Sequence, residues 1–209
     1  MVLRFSPKEL PAGLPDGARY KRVESPFDSS RGVFAIPALK ADPGDAEGHT
    51  EEIIQLLPGI LAQDRAALVL FSSRRQMEAV AEALSAELPH EILVQDVLSK
   101  AALLERHRLH IDKGQKSVIM GLASFAEGVD LPGKYCDHVV IAKLPFAVPD
   151  SPREAAHAEL LDQLGRNAFM EISVPDAALK LVQASGRLLR TEEDTGRITL
   201  LDRRLLTRR

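Results

Sequence analysis

One cysteine, Cys136, is the whole thiol content of this 209-residue chain. It cannot form an internal disulfide, so a reducing, cytoplasmic setting is expected. Long apolar runs are missing as well. The longest, Ala66 to Phe71, is far short of the roughly 20 residues a membrane-spanning helix needs, and no membrane partner is expected. The N-terminus meets Pro7 and Lys8 before the apolar stretch of a secretory signal develops. An excess of positive charge is also absent. With 27 Lys and Arg against 30 Asp and Glu the formal net charge is −3, which argues against bulk cationic attraction as the basis of nucleic-acid binding. There is no internal repeat and no low-complexity tract.

What is present is the composition of a globular protein. Apolar residues make up 45% and charged residues 27% of a chain long enough to bury a substantial core. Charge is unevenly spread: Asp42, Asp45, Glu47, Glu51, Glu52 and Asp64 dominate one stretch, whereas the segment from Arg187 to Arg209 is the cationic end.

Residues 1–48 hold most of the irregular signal, including Pro11, Pro15, Pro26 and Asp42-Pro43-Gly44-Asp45, and read as a lead-in that packs on a domain spanning 49–209, with one strand at Val33 to Ile36. From Thr50 helical and β-rich segments alternate. A helix is expected over Glu51 to Gln63, with a kink or an early end at Pro58. Ala67 to Phe71 has the continuous apolar character of a strand buried on both faces. Ser73 and Gln76 fit a capping box, and Met77, Val80, Ala81, Leu84 and Leu88 follow at helical spacing. Ile92 to Gln95 repeats the strand, and Ser99 caps a helix through Lys113 with Gly114 just past its end. Ser117 to Gly121 and His138 to Ala142 are further short strands. Ser151-Pro152-Arg153-Glu154 opens a helix to about Leu164, another spans Asp176 to Leu189, and Ile198 to Leu201 closes the series. Such alternation predicts an α/β fold with helix-sheet-helix layers and a mostly parallel sheet. Ligands of such sheets sit at the carboxyl ends of strands, which directs attention to the loops after Phe71, Gln95 and Gly121.

The segment Lys180 to Arg190 carries the most chemistry. At helical spacing Lys180, Gln183, Arg187 and Arg190 share an arc, with Leu181, Val182, Leu188 and Leu189 opposite as the core face. No acid within the segment neutralises the stripe, and Gly186 weakens the helix by about 1 kcal/mol while admitting a partner to the backbone. Guanidinium groups so arranged suit phosphate; a solvated helix face is the other reading. Gly121 to Gly133, after a buried strand, offers a hydroxyl, two carboxylates and glycines, as either a ligand loop or a turn-rich connection.

Other patterns are set aside. Gly128 to Lys134 imitates a phosphate-binding loop, but Tyr135 stands where Ser or Thr should be, and the segment enters a strand where the true loop opens a helix. His107 and His110, between Arg106 and Arg108, read as a solvated basic face and not as metal ligands. Cys136, Asp137 and His138 are strand neighbours, whose side chains point apart, so they make no triad.

These residues also carry a resemblance. Gln183-x-x-Gly186-Arg187-x-x-Arg190 resembles motif VI of superfamily-two DNA helicases, and Ser124 to Asp130 resembles motif V of the DinG branch, which is related to XPD. Leu70-Phe71-Ser72-Ser73 resembles motif IV, and Ser25-Pro26-Phe27-Asp28 is similar to the entry into that branch's second motor domain. The four occur in family order and cover the chain from about Glu24 to Arg209.

The resemblance implies the C-terminal, RecA-like motor domain of a 5′-to-3′ ATP-dependent DNA helicase of the DinG type, one half of a two-domain motor. ATP and Mg²⁺ would be held mainly by the first motor domain, where any iron-sulfur cluster would also lie; none of that equipment is expected here, and the chain alone is expected to hydrolyse no ATP. Arg187 and Arg190 would act as arginine fingers on the γ-phosphate, with Gln183 close to them. Glu127, Gly128 and Asp130 would face nucleotide. Ser72, Ser73, Arg74 and Ser124 would touch single-stranded DNA. Two rivals stay open: a non-catalytic RecA-like module binding DNA or a protein, and a Rossmann-like enzyme, which would need a glycine-rich turn where Ser72-Ser73-Arg74-Arg75 stands.

Overall fold

Six short strands pair side by side into one sheet in a computed structural model that describes residues 32–126, 128–146, 152–185 and 195–207. In chain order the elements are β1 (Gly32–Ala35), α1 (Ala46–Leu61), β2 (Ala66–Phe71), α2 (Arg74–Glu87), β3 (Ile92–Val94), α3 (Lys100–Asp112), β4 (Ser117–Leu122), β5 (His138–Ile141), α4 (Pro152–Gln163), α5 (Val174–Ser185), β6 (Gly196–Leu200) and α6 (Arg204–Thr207). The strands lie in the order β1-β6-β5-β2-β4-β3, and every pairing is parallel. This is the helix-sheet-helix α/β fold the alternation predicts.

The central strand β2 is buried at all six positions because it has a core on each face. On one side Ala67, Val69 and Phe71 pack with Ile53, Leu57 and Leu61 of α1 and Met77, Val80 and Leu84 of α2. On the other, Leu68 and Leu70 meet Leu103 of α3, Phe125, Val129 and Leu131 of the connection after β4, and Leu181 and Ala184 of α5. Alternation along the strand thus feeds two cores, and helices must cover both faces.

Local chemistry sets the element ends. The Ser73 hydroxyl accepts from the Gln76 N–H at 3.4 Å, and the Ser99 hydroxyl from the Ala102 N–H at 3.3 Å, as N-caps should. Gly114 has φ 74° and donates its N–H to Ile111 O, while Gln115 N–H reaches back to His110 O, the two-bond Schellman closure of α3.

Several expectations are corrected. α1 begins at Ala46, capped by Asp45, and runs through Pro58 to Leu61. The stripe His49, Ile53, Leu57 and Leu61 is buried on both sides of the proline, and that packing outweighs the lost N–H bond. His107 is not on a solvated face. It is fully buried, with its Nε2 at 2.8 Å from Tyr135 O and its Nδ1 at 2.8 Å from the Ser117 hydroxyl. Burial holds its pKa below the ordinary imidazole value, against the smaller pull of the Tyr135 carbonyl. Val182, placed on the core face by periodicity, is 52% exposed, because α5 turns Ala177, Leu181 and Ala184 inward instead. The strand expected at Val33 to Ile36 is the edge strand β1. Ser151, Leu188 and Leu189 lie outside the described residues, as does the segment Ser25 to Asp28.

Candidate functional site

Register brings the carboxyl ends of the strands level. Leu70 of β2 is opposite Gly121 of β4 on one side and Ile141 of β5 on the other, so the chain leaves the sheet at Ser72, Ala123 and Ala142 side by side. There the loops and α5 enclose a cleft of about 300 Å³. Ser72, Ser124, Lys143, Lys180 and Gln183 supply its polar wall, over an apolar floor that includes Phe71, Leu122 and Ile141.

Each wall residue is placed by a local device. Ser72 precedes the Ser73 cap, and the first turn of α2 holds Arg74 and Arg75 with no acidic residue, which concentrates positive potential at the helix N-terminus. Gln76 does not complete the capping box; its amide Nε2 lies 3.2 Å from His49 Nδ1 and 3.1 Å from the Thr50 hydroxyl, fastening α2 to α1. Ser124 is exposed on a 3₁₀ turn, Ala123–Ala126, whose Phe125 and Ala126 are buried. Gly121 permits this turn: a side-chain carbon there would stand 2.8 Å from the Phe125 ring. From α3, Lys100 donates to Phe125 O at 2.9 Å and lies over the Phe125 ring, and Arg108 donates to Asp130 O at 2.7 Å. These bonds brace both ends of the loop. Gly128 turns the chain with φ 69°.

The β5 side of the cleft is held by a buried carboxylate. Asp202, just after β6, accepts the Leu144 N–H at 2.9 Å, and Arg204 grips it through Nε at 3.0 Å and a terminal nitrogen at 2.6 Å. Burial alone would raise the Asp202 pKa, but these donors outweigh it and hold the group below the usual carboxylate range. The Arg204 guanidinium also covers the Phe146 ring at 5.2 Å, and Phe146 meets Phe169 at the same separation. Lys143 donates to Pro43 O at 2.5 Å.

The structure therefore gathers Ser72, Ser124 and Gln183 in one cleft and sets Ser73 and Arg74 at its edge. Gly128 and Asp130 close the far end of the 123–130 loop and do not line the cleft. Glu127, Gly186, Arg187 and Arg190 lie outside the described residues. Arg74 is already paired with Asp96 at 2.7 Å. The cationic stripe is partly neutralised as well, since Lys180 pairs with Asp176 at 2.9 Å, one helical turn before the Lys180 to Arg190 segment. Lys143 is a wall residue that sequence reasoning misses; its one signal is that it is the first polar residue after the buried run of β5 and Ala142.

The imitation phosphate loop is elsewhere. Gly133–Tyr135 is a 3₁₀ turn that enters β5 at the opposite, amino edge of the sheet, where Lys134 pairs with Asp112 at 2.6 Å. The Asp112 carboxyl is held below its ordinary pKa by Lys134 first and the Tyr135 hydroxyl second. Cys136 is buried and His138 is turned to Asp64 and Thr199. Among the described residues no three His, Cys, Asp or Glu side chains gather as a metal-binding set, and no helix is long and apolar enough to cross a membrane.

Known proteins bear on this geometry. ATP-dependent DNA helicase DinG of Photobacterium profundum is 44% identical over 198 residues, covering 93% of this chain and 28% of that protein. The DinG helicase of Escherichia coli (strain K12) is 34% identical over 211 residues, covering 98% of this chain and 29% of that protein. The chain thus spans less than a third of the length of these relatives. The fold is that of the S. tokodaii Xpd4 structure, with a TM-score of 0.66 at 21% identity over 95% of this chain and 39% of that one. The family described as "Helicase C-terminal domain" matches residues 59–209, from within α1 through every strand that frames the cleft to the last residue. By that match over most of its length, the chain belongs to the helicase C-terminal domain family.

Proposed function

We propose that this chain is the second motor domain of a 5′-to-3′ ATP-dependent DNA helicase, acting in the cytoplasm on single-stranded DNA together with a first motor domain. The observation that carries the reading is the cleft at the carboxyl edge, where Ser72, Ser124 and Gln183 meet Lys143 and Lys180 beside the N-terminus of α2. Hydroxyls, an amide and a helix N-terminus flanked by two arginines are donors suited to phosphate oxygens. Ser72, Ser73, Arg74 and Ser124 would contact the strand. Gln183 and the loop of Glu127, Gly128 and Asp130 would report on nucleotide. Arg187 and Arg190 would reach the γ-phosphate as charge grows on it.

ATP and Mg²⁺ would be held mainly by the first motor domain, together with any iron-sulfur cluster. A lone arginine stripe cannot cradle a β-phosphate, so the isolated chain is expected to show no ATP turnover above a buffer blank.

Binding to DNA is testable directly. Anisotropy of a labelled oligothymidine titrated with this chain should show weak binding whose logarithm falls with log salt by roughly 0.7 per phosphate neutralised. A Ser72/Arg74/Ser124 triple alanine variant should lose most of it. Binding indifferent to salt, or unchanged in the triple variant, overturns the assignment.

A further inference from the structure

The third loop at the carboxyl edge, after β3, has no part in the cleft. Val97 N–H closes a turn on Val94 O at 3.4 Å, and Asp96 occupies its corner with φ 70°. Glycine holds that conformation without strain; a side chain does so at a cost, smaller for Asp and Asn than for other residues. The position nevertheless carries a carboxylate with two partners. Asp96 Oδ2 receives Arg74 at 2.7 Å and the Gln95 amide at 3.3 Å. The other end of that amide, Gln95 Oε1, accepts the Leu122 N–H at 2.8 Å, while the Gln95 N–H donates to Met120 O at 2.9 Å.

Arg74, Asp96, Gln95 and Leu122 therefore form a chain of polar contacts across the ends of β2, β4 and β3. One end is the first turn of α2 and the other is the entry to the turn bearing Ser124. The Arg74–Asp96 pair is about half exposed on both sides, so its contribution to stability is small. A strained residue that yields little stability is explained better by what it positions. Arg74 sits at the positive end of α2, where the helix dipole disfavours a cation and a neighbouring carboxylate offsets that cost. The pair uses one terminal nitrogen of the guanidinium, which leaves its remaining N–H groups for a second acceptor.

We propose that Asp96 and Gln95 are positioning residues of the strand-binding surface. Asp96 presents the Arg74 guanidinium to a phosphate of single-stranded DNA, and Gln95 fixes Leu122, and with it the Ser124 turn, at a set spacing from Arg74. The inference rests on the strand-binding reading above and extends it to a loop that lines no part of the cleft.

The test is a double-mutant cycle on this chain, read by anisotropy of a labelled oligothymidine and by thermal melting. Asp96→Gly relieves the strained backbone, so its melting temperature should equal or exceed that of the wild type. Its affinity should fall about 3- to 10-fold, toward the lower end of the coupling seen between neighbours. In an Arg74→Ala background the same substitution should cost nothing further, because Asp96 acts through Arg74. Gln95→Ala should weaken binding in both backgrounds. Asp96→Gly binding as tightly as wild type, binding more tightly, or losing affinity equally in both backgrounds overturns the proposal. If Arg74→Ala and the serine variants Ser72→Ala and Ser124→Ala all bind like wild type, the strand-binding reading falls first. If the serine variants weaken binding and the cycle shows no coupling, that reading stands and this inference alone fails.

Discussion

In a protein that pairs this chain with a first motor domain, replacing Arg187 or Arg190 by alanine is expected to lower the kcat of DNA-stimulated ATP hydrolysis by about 10³-fold or more, the scale on which arginine fingers act. Apparent ATP affinity should change far less. A finger neutralises charge that appears only as the phosphoryl group transfers, so its loss is felt in the transition state and hardly in the ground state. Stability should move by no more than about 0.5 kcal/mol, as for ordinary surface positions. Sequence periodicity supports this choice of residues: both arginines fall on the arc of Lys180 and Gln183, and those two line the cleft. Steady-state kinetics with saturating single-stranded DNA, with a melting curve for each variant, decides the matter. Unaltered kcat in both variants returns the stripe to a solvated helix face. A large fall in melting temperature makes it structural.

Much of the fold is legible in the sequence because the decisive signals are local. Ala66–Phe71 is apolar throughout because both of its faces are covered, and the caps Ser73, Ser99 and Gly114 sit where the chain needs their hydroxyls or a positive φ. His107 misleads because its arginine neighbours mask its spacing. It lies four residues after Leu103 and four before Ile111, and all three are buried on one face of α3. Pro58 misleads for the converse reason: the local rule that proline ends a helix is overridden by a buried stripe four residues apart.

The candidate site is legible in its loops and not in its contacts. Ser72 and Ser124 stand after apolar strands, which sequence reveals. That Arg74 meets Asp96, or Gln95 the Leu122 N–H, depends on the spatial order β2-β4-β3, which local pattern does not encode. The Asp202 carboxylate is of the same kind. It is 58 residues from the Leu144 N–H it accepts, and only the pairing of β5 with β6 brings the two together.

The largest effect on stability is expected at the opposite edge of the sheet. Asp64, which enters β2 from α1, is 8% exposed and divides its carboxylate between two partners, His138 Nδ1 at 2.5 Å and Arg197 at 2.5 Å. His138 is fully buried, with its Nε2 at 2.8 Å from the Thr199 hydroxyl. Asp64→Ala leaves the buried His138 Nδ1 without a partner and the Arg197 guanidinium without its counter-charge. Removing one member of a buried pair costs about 3 to 5 kcal/mol as a rule; Arg197 is 37% exposed and can turn to water, which places this variant near the lower end, about 3 kcal/mol. For a chain of this size that is a fall of roughly 6 to 12 °C in melting temperature. Asp64→Asn, which keeps one acceptor oxygen, should fall between. His138 is the first residue of β5 and pairs with Arg197 of β6, so the cluster sits at the amino ends of the strands, across the sheet from the cleft. Oligothymidine affinity measured well below the melting transition should therefore be unchanged. A fall of under about 2 °C shows that the carboxylate contributes little to the fold. Lost affinity with an unchanged melting temperature would tie this edge to the strand-binding surface and overturn the separation of the two.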